Sequence, residues 1–256
     1  MRAIAIANQK GGVGKTSTCV NFCAGLGLMG KKVLLVDMDP QGNSTSGLGV
    51  ERGALSLSVY DMLVDGVSLE ECVKPTEWEG VFIAPATIDL AGAEVELVSA
   101  MSRETRLKKC LRGTDRYDAA IIDCPPSLGL LTLNSLVAAD SIVIPIQCEY
   151  YALEGLSQLM KTIDLVRSHL NAELEMDGLL LTMFDSRTRL SKDVAEEVRN
   201  RFQDKVFDTT IPRSVRVSEA PSHGMPIQYY DPGSPGAVAY NKFTEEAVKR
   251  WQNKEA

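Results

Sequence analysis

A glycine-rich run near the start of the chain has the residue types of a phosphate-binding site. The run spans residues 8–17 and reads NQKGGVGKTS. Glycines allow backbone N–H groups to turn inward around phosphate oxygens, and a helix that starts at the end of such a run adds its positive dipole. Lys15 would supply charge for β- and γ-phosphates, and Thr16 would offer a hydroxyl to Mg²⁺. The run therefore predicts a site for a nucleoside triphosphate and its metal ion.

The spacing of this run departs from the usual phosphate loop, Gly-x-x-x-x-Gly-Lys-Ser/Thr. Gly14, Lys15 and Thr16 fit that template. Gln9 occupies the position of its first glycine, and Lys10 adds a second lysine at the head of the loop. The run is thus a variant phosphate loop with two lysines.

Two alternatives compete for the same glycines. A dinucleotide-binding fingerprint would also use Gly12 and Gly14, but it requires a third Gly or Ala where Ser17 stands. A glycine-rich turn without any ligand is the other alternative. Because strand, loop and helix come in the order that phosphate binding requires, the sequence favours a nucleotide site over both.

Acidic residues follow two further predicted strands and could hold a metal ion and a water molecule. Asp37 and Asp39 lie one residue apart in an Asp-Pro turn, where one carboxylate can orient metal-bound water and the other can position the attacking water. Asp123 ends a run of four apolar residues, the arrangement of a Walker B strand. Each feature alone would be an ordinary acidic turn. Together with the phosphate loop they predict a metal site at Thr16 and Asp123, with one of Asp37 and Asp39 for metal-bound water and the other for the attacking water.

Predicted strands and helices alternate along the chain and place these residues at one edge of a sheet. Apolar runs predict strands at residues 3–7, 33–36, 81–84, 119–122, 142–146 and 179–183. Helical periodicity predicts helices at residues 16–29, 88–111, 131–139, 152–170, 191–202 and 238–251. This alternation predicts an α/β fold, a mainly parallel twisted sheet with helices on both faces. Ligands of such sheets bind outside the carboxyl ends of the strands.

Composition is typical of one globular domain and excludes several classes of protein. The 256 residues are 45% hydrophobic and 24% charged, with 27 Lys+Arg against 34 Asp+Glu and a net charge of −7. No linker-like stretch divides the chain, so we expect a single domain over residues 1–256. The six cysteines include no Cys-x-x-Cys pair, which argues against a structural zinc site. Neither a signal pattern nor a long apolar run is present, so we expect a cytoplasmic protein.

The motifs resemble those of the ParA/Soj chromosome-partitioning ATPases over nearly the whole chain. Residues 10–16 (KGGVGKT) are similar to the deviant Walker A loop, whose extra lysine is the signature of that family. Residues 36–43, 123–129 and 211–224 resemble further family motifs, and the last of them is the most specific. The resemblance implies one ParA-type P-loop ATPase domain that uses ATP and Mg²⁺.

The resemblance also implies how such a chain works. Lys10 would contact phosphates in the opposite subunit of an ATP-dependent sandwich dimer, and slow hydrolysis would depend on Asp39. The ATP-bound dimer would bind double-stranded DNA non-specifically, and a ParB-type partner would stimulate hydrolysis, usually through a short basic amino-terminal segment. The residues expected to act in catalysis are Lys10, Lys15 and Asp39, and those expected to hold the metal ion are Thr16, Asp37 and Asp123. Those expected to contact the nucleotide are Lys10, Gly11, Gly12, Val13, Gly14, Lys15, Thr16, Ser17 and, near adenine, Met183, Pro212 and Arg213.

A local excess of positive charge lies between residues 187 and 216. Eight Lys+Arg stand there against five Asp+Glu, an excess of three charges in a chain that is acidic overall. Such a patch fits sequence-independent phosphate contacts, whereas a solvated helix face with i,i+4 ion pairs is the alternative. The resemblance assigns DNA binding to Arg187 and Arg216. No base-reading motif is present, so we expect no base-specific readout. The DNA binding that the resemblance implies predicts a nucleoid-associated location.

Other classes of P-loop protein stay open from the sequence. A MinD-like membrane-positioning ATPase would carry a basic amphipathic helix at its end, but Glu245 and Glu246 interrupt the positive face here. We therefore expect the last helix to pack on the domain, without stable membrane association. An ATP-dependent metabolic enzyme, either a ligase or an iron-protein-like reductase that uses Cys110 or Cys124, is a further alternative. A nucleotide-switched module that hardly hydrolyses ATP is the last, and Asp39 weighs against it.

Overall fold

The structure, a computed structural model, describes residues 1–149 and 152–255. Its strands are β1 Arg2–Ile6, β2 Val33–Asp37, β3 Lys74–Pro75, β4 Val81–Ala84, β5 Ala119–Asp123, β6 Ser141–Gln147, β7 Glu175–Phe184 and β8 Val206–Pro212. Within the described residues they form one sheet in the order β3-β4-β2-β5-β1-β6-β7-β8. The short β3 is antiparallel to β4, and the other neighbours are parallel. The predicted mainly parallel sheet is confirmed, and β3 and β8 are strands that the apolar runs did not predict.

Helices connect the strands and cover the sheet. They are α1 Lys15–Leu28, α2 Asn43–Gly47, α3 Val59–Leu63, α4 Leu69–Cys72, α5 Leu90–Glu96, α6 Arg106–Leu111, α7 Leu130–Ala138, α8 Ala152–His169, α9 Arg189–Phe202, α10 Val215–Glu219, α11 Ile227–Tyr230 and α12 Pro235–Glu255. Single 3₁₀ turns lie at Arg52–Ala54, Leu97–Ser99, Arg103–Thr105, Gln203–Lys205 and Ala220–His223. The short α2, α3, α4, α10 and α11 have too few turns to produce the periodicity on which sequence prediction depends.

The strands are buried on both faces, as a parallel sheet between two layers of helices requires. Along β1, Ala3 and Ala5 pack on the side of α3 to α9, whereas Ile4 and Ile6 pack on the side of α1 and α12. Side chains alternate between the two faces of a strand, so one apolar run contributes to both cores. This explains why the strands appear in the sequence as continuous apolar runs rather than as alternating patterns.

The prediction of a single helix over residues 88–111 is wrong. The segment is divided into α5 and α6, with Ser102 at a φ of 53°, in the left-handed region where a helix cannot continue. Asn134 of α7 stabilises the break, because its Nδ2 donates to Arg103 O (2.8 Å) and its Oδ1 accepts from Leu107 N (3.2 Å). The two halves share helical spacing of apolar residues, but buried side-chain hydrogen bonds separate them.

The last helix packs on the domain, as predicted. It begins at Pro235, three residues earlier than expected, and proline is favoured in the first turn of a helix. Tyr240 and Phe243 are fully buried, and the Phe243 ring lies 4.9 Å from Phe22 of α1 and 5.0 Å from Phe207 of β8. Among the described helices, none combines the length and the apolar character that crossing a bilayer would need.

Candidate nucleotide site

The glycine-rich loop joins β1 to α1 at the carboxyl edge of the sheet. Asn8 is buried and holds its start, since Asn8 Nδ2 donates to Pro145 O (2.7 Å) and Asn8 Oδ1 accepts from Lys10 N (3.0 Å). Gly12 and Gly14 have φ values of 73° and 89°, which glycine adopts without a Cβ clash. In the described part of the chain, no side chain caps the first N–H groups of α1. These N–H groups are thus available to an anion.

A cavity of about 340 Å³ opens in front of the loop, within the usual range for a small-molecule site. A Cβ atom built on Gly11 or Gly12 would meet no heavy atom within 4 Å, so the loop backbone faces open space. The cavity is lined by Gly11, Gly12, Gly14, Lys15, Thr16, Ser17, Asp39, Gln41, Asn43, Pro126 and Met183. The structure therefore brings most of the predicted nucleotide residues together with Asp39. Lys10, Val13, Pro212 and Arg213 do not line this cavity.

Asp123 provides a buried acidic group directly below Thr16. Its Oδ2 accepts hydrogen bonds from Thr16 Oγ1 (2.8 Å) and from Ser44 Oγ (2.7 Å). Its Oδ1 is also buried and has no hydrogen-bond partner among residues 1–149 and 152–255. Burial raises the pKa of Asp123, because the charged form is removed from water. An unpartnered carboxylate oxygen beside a hydroxyl fits a hydrated Mg²⁺, which binds proteins through few direct ligands.

Asp37 is held by the start of α2 rather than by the phosphate loop. Its Oδ2 accepts from Thr45 N (2.8 Å) and Thr45 Oγ1 (2.7 Å), and its Oδ1 accepts from Asp39 N (3.2 Å). Burial, followed by repulsion from Asp123, raises the pKa of Asp37 to about 8. The predicted metal role of Asp37 stays a prediction. Its contacts show that it anchors α2 and the acidic turn beside the site.

Asp39 lines the wall of the cavity, and the residue as a whole is 8% exposed. Its Oδ1 accepts a hydrogen bond from Gln41 N (3.0 Å), which fixes the side chain within the Asp-Pro turn. A carboxylate that is held by the backbone and lines the phosphate cavity can orient a water molecule or accept its proton. The position agrees with the role expected from the sequence.

The two lysines of the loop occupy different environments. Lys15 is 7% exposed, and its Nζ donates to Lys10 O (3.3 Å) across the loop. The Lys10 side chain lies at the rim, where its Nζ is 3.5 Å from Glu149 Oε2. Glu149 also pairs with Arg213, whose Nη2 lies 3.2 Å from Glu149 Oε1. Glu149 was not predicted from the sequence, although it lies two positions after β6, as Asp39 lies two positions after β2.

The end of β7 supports the loop from the other side. Thr182 Oγ1 donates to Val13 O (2.8 Å), a contact that was not predicted. Met183 has a φ of 51°, a left-handed conformation that is rare for a residue other than glycine and is often found at binding sites. Arg213 N donates to Phe184 O (3.1 Å), so the end of β8 lies beside Met183. The residues predicted near adenine thus share one edge of the sheet.

The two predicted DNA-binding arginines are exposed, and each forms ion pairs within the chain. The side chain of Arg187 is 85% exposed, and its Nε and Nη2 lie 2.9 and 2.8 Å from the Asp185 carboxylate. The side chain of Arg216 is 58% exposed, with Nη1 3.1 Å from Glu219 and Nε 3.6 Å from Asp231. Arg187 holds the pKa of Asp185 well below its usual range. Exposed pairs of this kind are weak, so a phosphate can compete for both arginines.

Comparison with known proteins agrees with this arrangement. A family described as "AAA domain" matches residues 1–176. The sporulation initiation inhibitor protein Soj of Bacillus subtilis (strain 168) is 59% identical over 248 residues, which cover 96% of this chain and 98% of that protein. The chromosome partitioning protein ParA of Myxococcus xanthus (strain DK1622) is 54% identical over 250 residues, covering 97% of this chain and 88% of that protein. This chain belongs to the ParA/Soj family.

A solved structure shares the fold of this ParA/Soj chain. The crystal structure described as cobyrinic acid a,c-diamide synthase from Mycobacterium smegmatis, with bound ADP and magnesium, has a TM-score of 0.87 and 41% identity. The similarity covers 98% of this chain and 96% of that chain. The fold of this chain is thus similar to that of a structure determined with ADP and magnesium bound.

Proposed function

We propose that this ParA/Soj chain is an ATP-dependent DNA-partitioning ATPase, in which residues 1–256 act as one P-loop ATPase domain. The observation that carries the proposal is the meeting, at one cavity, of the glycine-rich loop, Asp39 and the Thr16–Asp123 pair with its unpartnered oxygen. Phosphoryl transfer needs a phosphate cradle, a metal shell and a positioned water, and these residues can provide all three. ATP with Mg²⁺ is therefore the proposed substrate and metal.

Each group at the cavity has a proposed task. Lys15 and the N–H groups of the loop bind the phosphates, and Met183, Pro212 and Arg213 bind the adenine end. Thr16 and Asp123 hold the metal ion and its waters, with Asp37 fixing the neighbouring turn. Mg²⁺, when bound, neutralises charge on the phosphate oxygens. Asp39 orients the attacking water and accepts its proton.

Dimer formation is the first consequence of ATP binding in this proposal. Lys10 lies at the rim of the site, with its side chain 35% exposed and paired to Glu149 in the same chain. An exposed pair can be exchanged at small cost, so Lys10 is available for a phosphate in a second copy. We propose that ATP-bound subunits face each other through this rim.

Lys10→Ala should weaken the ATP-dependent dimer while sparing most of the nucleotide affinity of the monomer. The reason is that Lys10 lies outside the cavity that Lys15 and the loop form. Sedimentation velocity with ATP and with ADP measures the dimer, and fluorescent-nucleotide binding measures the monomer site. Lys31→Ala, at an exposed lysine beyond α1, is the matched control. A Lys10→Ala protein that dimerises and hydrolyses ATP like the wild type would rule out the contact between subunits.

DNA binding should follow dimer formation, because two weak cationic patches then act together. The segment that follows Arg216 packs on α2: a Cβ on Gly224 would lie 3.5 Å from Ser46 O in that helix and 2.7 Å from the Cα of Gly49, just beyond it. The same helix contributes Ser44 and Thr45 to Asp123 and Asp37. A change at the nucleotide site can therefore be transmitted through α2 to the proposed DNA surface.

Arg187→Ala and Arg216→Ala should each weaken DNA binding about equally for all sequences. Each phosphate contact contributes about 0.9 to the slope of log K against log salt, so loss of one contact per subunit should flatten the slope of a dimer by about 1.8. Filter retention of DNA in ATP across a salt series measures this, with Arg112→Ala as an exposed control. Nucleotide-driven dimerisation should persist in both variants. An Arg216→Ala protein that loses nucleotide binding as well would move this residue to the ATP site.

Partner stimulation and location complete the proposal. A ParB-type protein is proposed to accelerate hydrolysis, which releases the dimer from DNA and maintains a nucleoid-associated distribution.

The comparison with the Mycobacterium smegmatis structure suggests a second candidate, an ATP-dependent ligase that amidates a corrinoid acid. Retention on DNA in ATP, but not in ADP, supports partitioning. ATP consumption that requires cobyrinic acid and ammonium, without DNA retention, would support the ligase.

A further inference from the structure

A second cavity, of about 560 Å³, lies beside the nucleotide site between the segment that follows α2 and the segment that follows β4. We call it the acidic groove. The side chains that give it its character are those of Leu55, Leu57, Asp61, Ile88, Asp89 and Glu96. Ile88 is 65% exposed, although it is a large apolar residue. The groove therefore combines an uncovered apolar surface with three carboxylates.

Hydrogen bonds join the two walls of the acidic groove. Tyr60 OH donates to both oxygens of Glu96 (3.1 Å each), and Val59 N donates to Pro85 O (2.8 Å). At the start of α3, Ser58 N donates to Asp61 Oδ2 (2.7 Å) in a capping box. The groove is thus formed in advance, which lowers the ordering cost of binding a ligand.

The charge of the acidic groove determines what can occupy it. In the part of the chain that the structure describes, Asp61, Asp89 and Glu96 form no ion pair with a Lys or Arg. Two further apolar side chains close to Glu96 in the sequence, Val95 (76%) and Met101 (90%), are also exposed. A basic segment with apolar side chains would neutralise the carboxylates and cover the apolar surface. Nucleic acid would be repelled, and two copies facing each other through this groove would bring like charges together.

One wall of the groove is connected to the metal side of the nucleotide site. Ala86, just before the groove residues of the β4 segment, donates its N–H to Thr45 Oγ1 (3.0 Å). The same Thr45 hydroxyl donates to Asp37 Oδ2 (2.7 Å). A shift of the β4 segment would therefore act on Asp37 through a single side chain.

The other wall is connected to the predicted catalytic carboxylate. Arg52, in the turn that leads into the groove, donates through Nη1 to Gln41 O. Gln41 N in turn donates to Asp39 Oδ1 (3.0 Å). Both walls of the groove are thus connected by hydrogen bonds to the acidic turn of residues 37–41.

We propose that the acidic groove docks the basic segment of the ParB-type partner and that this contact stimulates hydrolysis by repositioning Asp39. The inference rests on the proposed function, because it assigns a surface to the partner of the same ATPase. Binding energy at the groove is used to move the turn that carries the carboxylate, without any group of the partner entering the cavity.

The test uses the full-length chain, a ParB-type protein from the same genome and a labelled synthetic peptide of its first 20 residues. Asp89→Lys and Glu96→Lys reverse exposed charges of the groove, and Glu173→Lys, in the exposed turn before β7, is the matched control. Peptide affinity, from fluorescence anisotropy, should fall about tenfold in each groove variant and little in the control, since an attractive exposed pair becomes a repulsive one. Stimulated hydrolysis should fall in parallel, while basal hydrolysis and ATP-dependent dimerisation stay as in the wild type.

Three outcomes would overturn the proposal, and they separate it from the proposed function. Groove variants that bind the peptide and respond to the partner like the wild type refute the groove and leave the partitioning ATPase intact. Variants that lose ATP-dependent dimerisation show instead that a second copy of the chain covers the groove. A wild-type protein that the partner does not stimulate refutes the proposed partner itself. Thermal unfolding of each variant checks that it is folded.

Discussion

Lys15→Ala and Thr16→Ala are each expected to abolish productive binding of Mg-ATP. Lys15 is buried at the centre of the loop, and its ammonium group has a backbone carbonyl, Lys10 O, as its hydrogen-bond partner in the structure. With ATP bound, this ammonium group would pair with phosphate charge, and removing one member of a buried charge pair costs about 3–5 kcal/mol. With about 1.4 kcal/mol for each factor of ten, we expect Lys15→Ala to weaken ATP affinity roughly 100-fold or more.

Thr16→Ala should act through the metal ion rather than through phosphate charge. It removes the hydroxyl that donates to Asp123 Oδ2 at 2.8 Å, the group placed to share Mg²⁺ with that carboxylate. Isothermal titration with ATP, repeated in Mg²⁺ and in EDTA, separates the two effects: Thr16→Ala should lose the Mg²⁺-dependent part of the affinity. Thr16→Ser keeps the hydroxyl and should restore it, and Lys31→Ala is the control for loss of a lysine. Affinities within threefold of the wild type would remove both residues from the site.

The sequence predicts those parts of the fold and of the site that depend on residues close together in the chain. Six strands are visible as continuous apolar runs because each is buried on both faces. The phosphate loop is visible because its glycines, lysines and threonine are consecutive. The edge strand β8 (Val206–Pro212) is different: Asp208 is exposed, and its N–H, with that of Thr209, is bonded to the Glu246 carboxylate of α12. A half-exposed edge strand has no apolar run to detect.

The missed site residues depend on contacts between distant parts of the chain. Ser44 and Thr45 reach the buried carboxylates only because the five residues of α2 form a helix, and that segment (NSTSG) has low helix propensity. Lys10 and Glu149 are 139 residues apart and meet because β1 and β6 are neighbours in the sheet. The order of strands, rather than any local motif, creates that pair. Sequence patterns therefore predict the residues that contact phosphate more readily than they predict the residues that hold those side chains in place.

Asp39→Ala is expected to separate ATP binding from ATP hydrolysis. Asp39 lines the cavity, but it is not part of the loop that binds phosphates, and among the described residues the one hydrogen bond of its side chain comes from Gln41 N (3.0 Å). Loss of that contact should cost only about 1 kcal/mol of stability. Loss of a general base slows proton transfer by about 10²–10⁴. The variant should bind ATP like the wild type and hydrolyse it at least about 100-fold more slowly.

Asp39→Asn decides which property of the carboxylate is used. Asparagine keeps the volume of Asp39 and can still accept the hydrogen bond from Gln41 N, but it cannot accept a proton from water. If Asp39 acts as a base, the Asn and Ala variants should be equally slow in single-turnover phosphate release. If Asp39 only orients water, Asp39→Asn should keep a substantial part of the wild-type rate. In either case the ATP-bound dimer should accumulate on DNA in proportion to the loss of hydrolysis, because release from DNA requires cleavage of the nucleotide. Hydrolysis by Asp39→Ala at the wild-type rate would exclude this carboxylate from catalysis and shift attention to Asp37, the other acid of the same turn.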